Sequence, residues 1–202
     1  MSELSHLAAT IFRRGAHTNR VIVAVAGPPA AGKSTIAAEV AALLPEGSAA
    51  VVSMDGFHYD DGVLEQIGLR HRKGAPETFD FGGYESLLHR LKAADADVAA
   101  PVFDRSIEIS RGSASIVPRD AKFIITEGNY LLLNEDPWTR LAPLFEITVF
   151  LDVPREEVER RLVQRWIDYG RGTEAGRAWI DSNDMPNVDR VLANSRKADV
   201  VL

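Results

Sequence analysis

The chain contains no cysteine, which removes disulfides, thiolate metal sites and a cysteine nucleophile from consideration. It has no apolar run approaching the ~18 residues that a membrane-spanning helix needs. An excess of positive charge is missing too. The 23 basic residues face 29 acidic ones for a net charge of −6, so there is no global electrostatic footprint for nucleic acid or an anionic membrane. The five histidines show no paired spacing of a metal-ligating kind, and there are no internal repeats or low-complexity tracts. The opening MSELSHLAATIFRR lacks the basic stretch and continuous apolar core of an export signal. Its Leu4, Leu7, Ala8, Ile11 and Phe12 fall instead on one face of an amphipathic helix. These absences point to a cytoplasmic protein whose partner is a small molecule.

What is present suits one domain over residues 1–202, since 46% hydrophobic content can build one well-buried core and the length is short for two. Val21 to Ala26 is apolar on both faces, as in a parallel strand covered by helices. From Ser34, the residues Ile36, Ala37, Val40, Ala41 and Leu44 recur at helical spacing until Pro45 and Gly47 close the segment. Further strands are predicted over 49–54, 122–128 and 146–153 and at the terminal ADVVL, with helical patterns between most of them. The expected fold is therefore α/β: a three-layer α/β/α sandwich around a mainly five-stranded parallel sheet.

The bend between the first strand and its helix reads GPPAAGKST, from Gly27 through Pro28, Pro29, Ala30, Ala31, Gly32, Lys33 and Ser34 to Thr35. This fits G-x-x-x-x-G-K-[ST], a pattern that average residue usage produces by chance in roughly one chain of this length in a hundred. Its glycines let backbone N–H groups curl around a polyphosphate, and the helix N-terminus adds partial positive charge. Lys33 then meets the β- and γ-phosphates of a nucleoside triphosphate such as ATP, and the Ser34 hydroxyl ligates Mg²⁺.

A phosphate loop alone does not distinguish a kinase from a switch or a motor; acids at strand ends do. Asp55 follows the second strand and stands beside Gly56, Phe57, His58 and Tyr59. A carboxylate there can accept the proton of an attacking hydroxyl, cap the next helix, or stand in the outer shell of Mg²⁺, and the first role is the expected one. Glu127 ends the apolar run FIIT, as does the acid that supports Mg²⁺ in phosphate-loop enzymes. Asp152 immediately precedes VPREEVERRL and reads as a helix-start residue.

About 65 residues separate the second and third strands, far more than the dozen or so that a crossover requires. This insertion, residues 56–118, holds a helical pattern at 83–94 and extended segments at 98–118, which together could wall an acceptor pocket. Residues 155–177 carry Val158, Leu162 and Trp166 as an apolar stripe beside Arg160, Arg161 and Arg165, with Arg171 beyond. That pattern suits a lid bringing positive charge over a transferring phosphoryl group, or a solvated helix. The DFGG at 80–83 lacks an accompanying H-R-D segment, and no guanine-reading N-K-x-D occurs, so it is read as coincidence.

The ordered set GPPAAGKST, SMDGFHYDD, PVFDRSIE, ITEGNYLLL, FLDVPREEVERRLVQR and RKADVVL resembles the phosphate-loop kinases that include uridine kinase, type I pantothenate kinase and phosphoribulokinase. It is most similar to the bacterial subgroup labelled fructose-transport-system or nucleoside/nucleotide kinase-like. The resemblance implies ATP and Mg²⁺ at the loop, Asp55 at the catalytic carboxylate, Glu127 as the strand-end acid, and Arg165 with Arg171 in the lid. It further implies acceptor contacts from His58, Tyr59 and Arg105, and Asn194 and Arg196 bordering the adenine. Asn129 joins the acceptor candidates, and since many relatives of this kind form dimers, the resemblance allows a homodimer. The stretch DGFHYDD differs from its aromatic-rich counterpart in uridine kinases.

The expectation is an ATP-dependent transfer to an alcohol group of a sugar, nucleoside or pantothenate-like metabolite. A nucleotide-dependent regulator and a nucleoside monophosphate kinase stay open as alternatives at this point.

Overall fold

A computed structural model describes residues 2–168 and 174–202. Its strands are β1 (Val21–Ala26), β2 (Ala49–Ser53), β3 (Val98–Asp104), β4 (Ile109–Val117), β5 (Phe123–Gly128), β6 (Ile147–Phe150) and β7 (Val200–Val201). The helices are α1 (Glu3–Gly15), α2 (Lys33–Ala42), α3 (Asp61–Gln66), α4 (Phe81–Ala93), α5 (Arg155–Asp168), α6 (Glu174–Trp179) and α7 (Met185–Asn194). A five-stranded sheet runs in the order β2-β5-β1-β6-β7 with every pairing parallel, and β3 and β4 form a separate antiparallel hairpin.

The alternation of side chains along β1 builds both outer layers. Val21, Val23 and Val25 join Leu7 and Ile11 of α1 and Ala37 and Val40 of α2 in one apolar cluster. Ile22, Ala24 and Ala26 face the other way, onto Leu87, Leu88 and Leu91 of α4, Trp138, and Val191 of α7. Full burial of each large apolar side chain contributes about 1.5–3 kcal/mol, which is why a strand with no polar face sits at the centre of the sheet. A smaller cluster of Val158, Leu162, Ile180, Met185 and Val188 holds α5 against the start of α7.

Three expectations shift. The helix foreseen at 83–94 starts two residues earlier because Asp80 caps it, its carboxylate accepting from the Gly83 N–H at 2.9 Å. This gives the DFGG coincidence a structural use. The same helix does not line the cavity described below: it is buried as a layer against the sheet, and the β3–β4 hairpin with the segment from Asp55 to Gly74 supplies the insertion's share of that cavity. Asp152 lies upstream of the helix it was expected to start, since the first helical N–H groups, of Glu157 and Val158, both bond to the Pro154 carbonyl at 3.0 Å.

Candidate active site

Parallel strands deliver their carboxyl ends to one edge, and the loops beyond β1, β2 and β5 meet there. Directly after β1, Ala30 (φ 61°) and Gly32 (φ 95°) adopt left-handed backbone conformations that curl the loop before α2. At Gly32 nothing lies near a would-be Cβ, so glycine is required by the backbone angle and not by crowding. Lys33 opens α2 and is 7% exposed, with its ammonium donating to the Pro28 carbonyl at 2.8 Å.

The parallel register puts Glu127 of β5 beside Ser53 of β2 and Val25 of β1, within reach of the loop. The Ser34 hydroxyl donates to its carboxylate at 3.2 Å. Met54 ends β2 by turning into a short 3-10 segment, Met54–Phe57, and this turn carries Asp55. Arg105, from the tip of the hairpin, reaches Asp55 at 2.5 Å. The His58 ring nitrogen Nδ1 lies 2.8 Å from the Asp55 carbonyl oxygen, and the ring is held between Phe79 (4.0 Å) and Phe103 (4.8 Å).

The electrostatics follow from burying charge at one point. Burial pulls Lys33 down to about 8, against the pull of Glu127 and Asp55 in the other direction. Burial, with Asp55 nearby, pushes the Glu127 carboxyl up from its ordinary value. His58 is lowered chiefly by burial, which favours the neutral ring. Two carboxylates converging beside a buried lysine is costly by itself, and anionic phosphates with a divalent cation relieve it.

These groups line a cavity of about 770 Å³. Pro29, Ala30, Gly32, Lys33, Ser34 and Thr35 form one end, and Glu127 and Asp55 lie on its floor with Asn129 and His58. Phe103, Arg105 and Ser106 come from the hairpin, and Leu162, Arg165 and Trp166 come from α5. Gly27, Pro28 and Ala31 shape the loop without lining the cavity. Gly27 passes so close to the residue that follows β6 that a Cβ would sit 3.0 Å from the Leu151 carbonyl, and Ala31 offers its carbonyl to Arg161 at 3.3 Å. Arg160 turns outward to Glu157.

No group of three or more His, Cys, Asp or Glu side chains among the described residues could cage a metal ion. The Ser34 hydroxyl with the buried Glu127 carboxylate does fit Mg²⁺, which takes one or two protein oxygens and keeps phosphates and water for the rest.

Not every expected residue arrives here. Tyr59 donates its backbone N–H to Thr78 at 3.0 Å and does not line the cavity. Asn194 is the last residue of α7 and Arg196 lies just past it, while the start of that helix reaches the cavity through Asn187. Arg196 bonds Leu132 through its backbone, and its guanidinium stands 5.9 Å from the Phe145 ring. The cavity-lining residues thus offer no support for an adenine contact by either. Arg171 lies outside the described residues.

Sequence reading missed Asp61, Arg70, Lys73, Phe103, Trp179, Asp184 and Asn187, all of which line the cavity. The basic run RHRK at 70–73 was a visible signal inside the insertion. Asp184 is lifted to about 6 by burial and accepts from the Trp166 indole at 3.4 Å.

The model of the phosphoribulokinase / uridine kinase family matches residues 22–202, and the chain belongs to that family. A crystal structure described as a "putative fructose transport system kinase" from Silicibacter sp. TM1040 superposes with a TM-score of 0.93 at 39% identity, covering 100% of both chains. The uncharacterized protein YggC of Escherichia coli (strain K12) is 35% identical over 187 residues, 91% of this chain and 77% of that protein. Pantothenate kinase of Myxococcus xanthus (strain DK1622) is 33% identical over 166 residues, 76% of this chain and 52% of that protein.

Proposed function

Starting from membership of a kinase family, we propose that this protein transfers the γ-phosphoryl group of ATP to an alcohol hydroxyl of a small metabolite such as a sugar, a nucleoside or a pantothenate-like acceptor. The observation that carries the reading is the convergence of Asp55 with Lys33, Ser34 and Glu127 in a single cavity whose other wall belongs to the insertion. A nucleotide sensor has no need of a carboxylate facing an acceptor pocket.

The loop amides and Lys33 hold the β- and γ-phosphates, and Ser34 with Glu127 would hold Mg²⁺. The cation's contribution is to neutralise charge building on the phosphate oxygens. Asp55 takes the acceptor's hydroxyl proton as the new O–P bond forms and the bond to ADP breaks. Arg105 pairs with Asp55 at 2.5 Å and Arg165 lines the cavity from α5, so positive charge is in place before the transferred group moves. The setting that supplies ATP for this reaction is the cytoplasm; no helix among the described residues is long and apolar enough to cross a membrane.

A nucleoside monophosphate kinase, whose acceptor is a phosphate, needs no base, and this separates the two readings. Asp55→Asn keeps the shape and removes the base, so turnover should fall about 10² to 10⁴-fold while ATP affinity holds. Unchanged turnover in that variant removes Asp55 from the chemistry and favours the monophosphate reading.

A further inference from the structure

Residues 70–74 bring Arg70, Lys73 and Gly74 to the cavity, yet they lie outside the sheet, and much of what holds them comes from distant segments. The Tyr130 hydroxyl donates to the Gly74 carbonyl at 2.5 Å. Asn183 donates its side-chain N–H to the Lys73 carbonyl at 2.8 Å and accepts from the Arg72 guanidinium at 3.2 Å. Asn183 is 1% exposed. Burying an amide is costly unless its groups are paired, and an apolar residue would join helix to loop without that cost. What the amide adds is a fixed position for the Lys73 backbone.

The place of Asn183 in the fold is unusual. It lies in a π-helical turn, Ile180–Asp184, where the Met185 N–H bonds to the Ile180 carbonyl five residues back. Such turns are rare and recur at functional sites. This one lets Ile180 and Met185 share the apolar face packed on Val158 and Leu162 of α5, while Asn183 meets the loop. The next residue, Asp184, accepts from the Trp166 indole of α5. Two adjacent side chains thus tie one turn to both α5 and the loop. Arg165 of α5 stands where its charge acts on Lys33 and on Asp184 alike. Phosphates held at Lys33 would attract it and steady α5.

We propose that Asn183 is a positioning residue that couples the two ends of the cavity: nucleotide on the phosphate loop steadies α5 and the π turn, and Asn183 passes that restraint to residues 70–74, fixing Lys73 at the acceptor end. This rests on the kinase reading only in placing a nucleotide on the phosphate loop. The coupling runs through packed, hydrogen-bonded neighbours and needs no contact between nucleotide and residues 70–74.

The test is amide hydrogen exchange followed by mass spectrometry, with and without Mg²⁺ and a β,γ-imido analogue of ATP. The N–H groups of Arg72, Lys73, Gly74 and Ala75 are all hydrogen-bonded within or beside the loop, so their exchange reports its opening. The analogue should slow exchange over 70–75 by about 5-fold or more, the low end of ordinary coupling between sites. Asn183→Ala should abolish that slowing while residues 27–35 remain protected by the analogue. Arg72→Gln, at a side chain 26% exposed, removes one of the two bonds to Asn183 and should weaken the slowing; it supplies the readout if Asn183→Ala fails to fold.

A merely structural role predicts something else: exchange over 70–75 quickened by the same factor in the free and the nucleotide-bound protein. That result, or protection of 27–35 with none at 70–75 in the unaltered protein, would overturn the inference and leave the kinase reading standing. Absence of protection at 27–35 as well would remove the nucleotide from the phosphate loop, and both readings would fall.

Discussion

The two ends of the cavity are built in opposite ways. The proposed phosphate end comes from one unbroken stretch, Gly27 to Thr35, in which neighbours in sequence are neighbours in space and the curled backbone offers the donors. The acceptor end draws Asp61, Lys73, Arg105 and Asn187 from four segments, joined by ion pairs and by cross-links such as Arg72 to Asn183 at 3.2 Å and Asn183 to the Lys73 carbonyl at 2.8 Å. Local geometry fixes a chemistry shared by many proteins, and long-range assembly fixes what is particular to this one. Substitutions at the two ends should therefore separate nucleotide binding from acceptor use.

The largest effect is expected at the phosphate end. Lys33→Ala removes the charge over the phosphates and should cost about 10² to 10³-fold in kcat, with KM for ATP rising in steady-state assays. At the acceptor end, a Cβ on Gly56 would run into the Pro101 carbonyl of β3. Gly56→Ala should push the hairpin off the turn carrying Asp55, destabilise by about 1–3 kcal/mol, and raise KM for the acceptor while leaving ATP affinity in place. An equal loss of both in calorimetric titrations would break the comparison.

A smaller effect comes from pH. Lys33 titrates at about 8 in the nucleotide-free protein, and bound phosphates favour its protonated form, so its value rises on binding. Affinity for ATP should thus be full below about 8 and fall by up to about 10-fold per unit above it, with proton uptake on binding seen in buffers of different ionisation enthalpy. A flat profile from 7 to 9.5 would show that Lys33 is charged throughout. The smallest effect is predicted at Asp80, which caps α4 and does not line the cavity. Asp80→Ala should cost about 1 kcal/mol, lower the melting temperature by about 2–4 °C, and spare kcat.

What was readable beforehand follows the same division. β1, the loop and α2 announce themselves because an apolar run, glycines at fixed offsets and a helical period are all local signals. Asp55 and Glu127 were legible because a parallel sheet sends strand-end residues to a common edge. Trp179, Asp184 and Asn187 were not, since only the packing of α5 against α7 brings them over the cavity. The pattern of α4 showed that it had a buried face, and nothing in that pattern could say that the face met the sheet. Asn194 and Arg196 came from likeness alone, and neither is among the residues that line the cavity.

The account's central claim is that both ends serve one transfer, and the most direct measurement is product detection. The protein is incubated with Mg-ATP and each of a panel of sugars, nucleosides, pantothenate and sugar phosphates, with ADP and phosphomonoester quantified together and Lys33→Ala as the blank. The account predicts ADP formed only with a productive acceptor and matched one-to-one by its phosphomonoester. Release of ADP with inorganic phosphate, at a rate no acceptor changes, would contradict it.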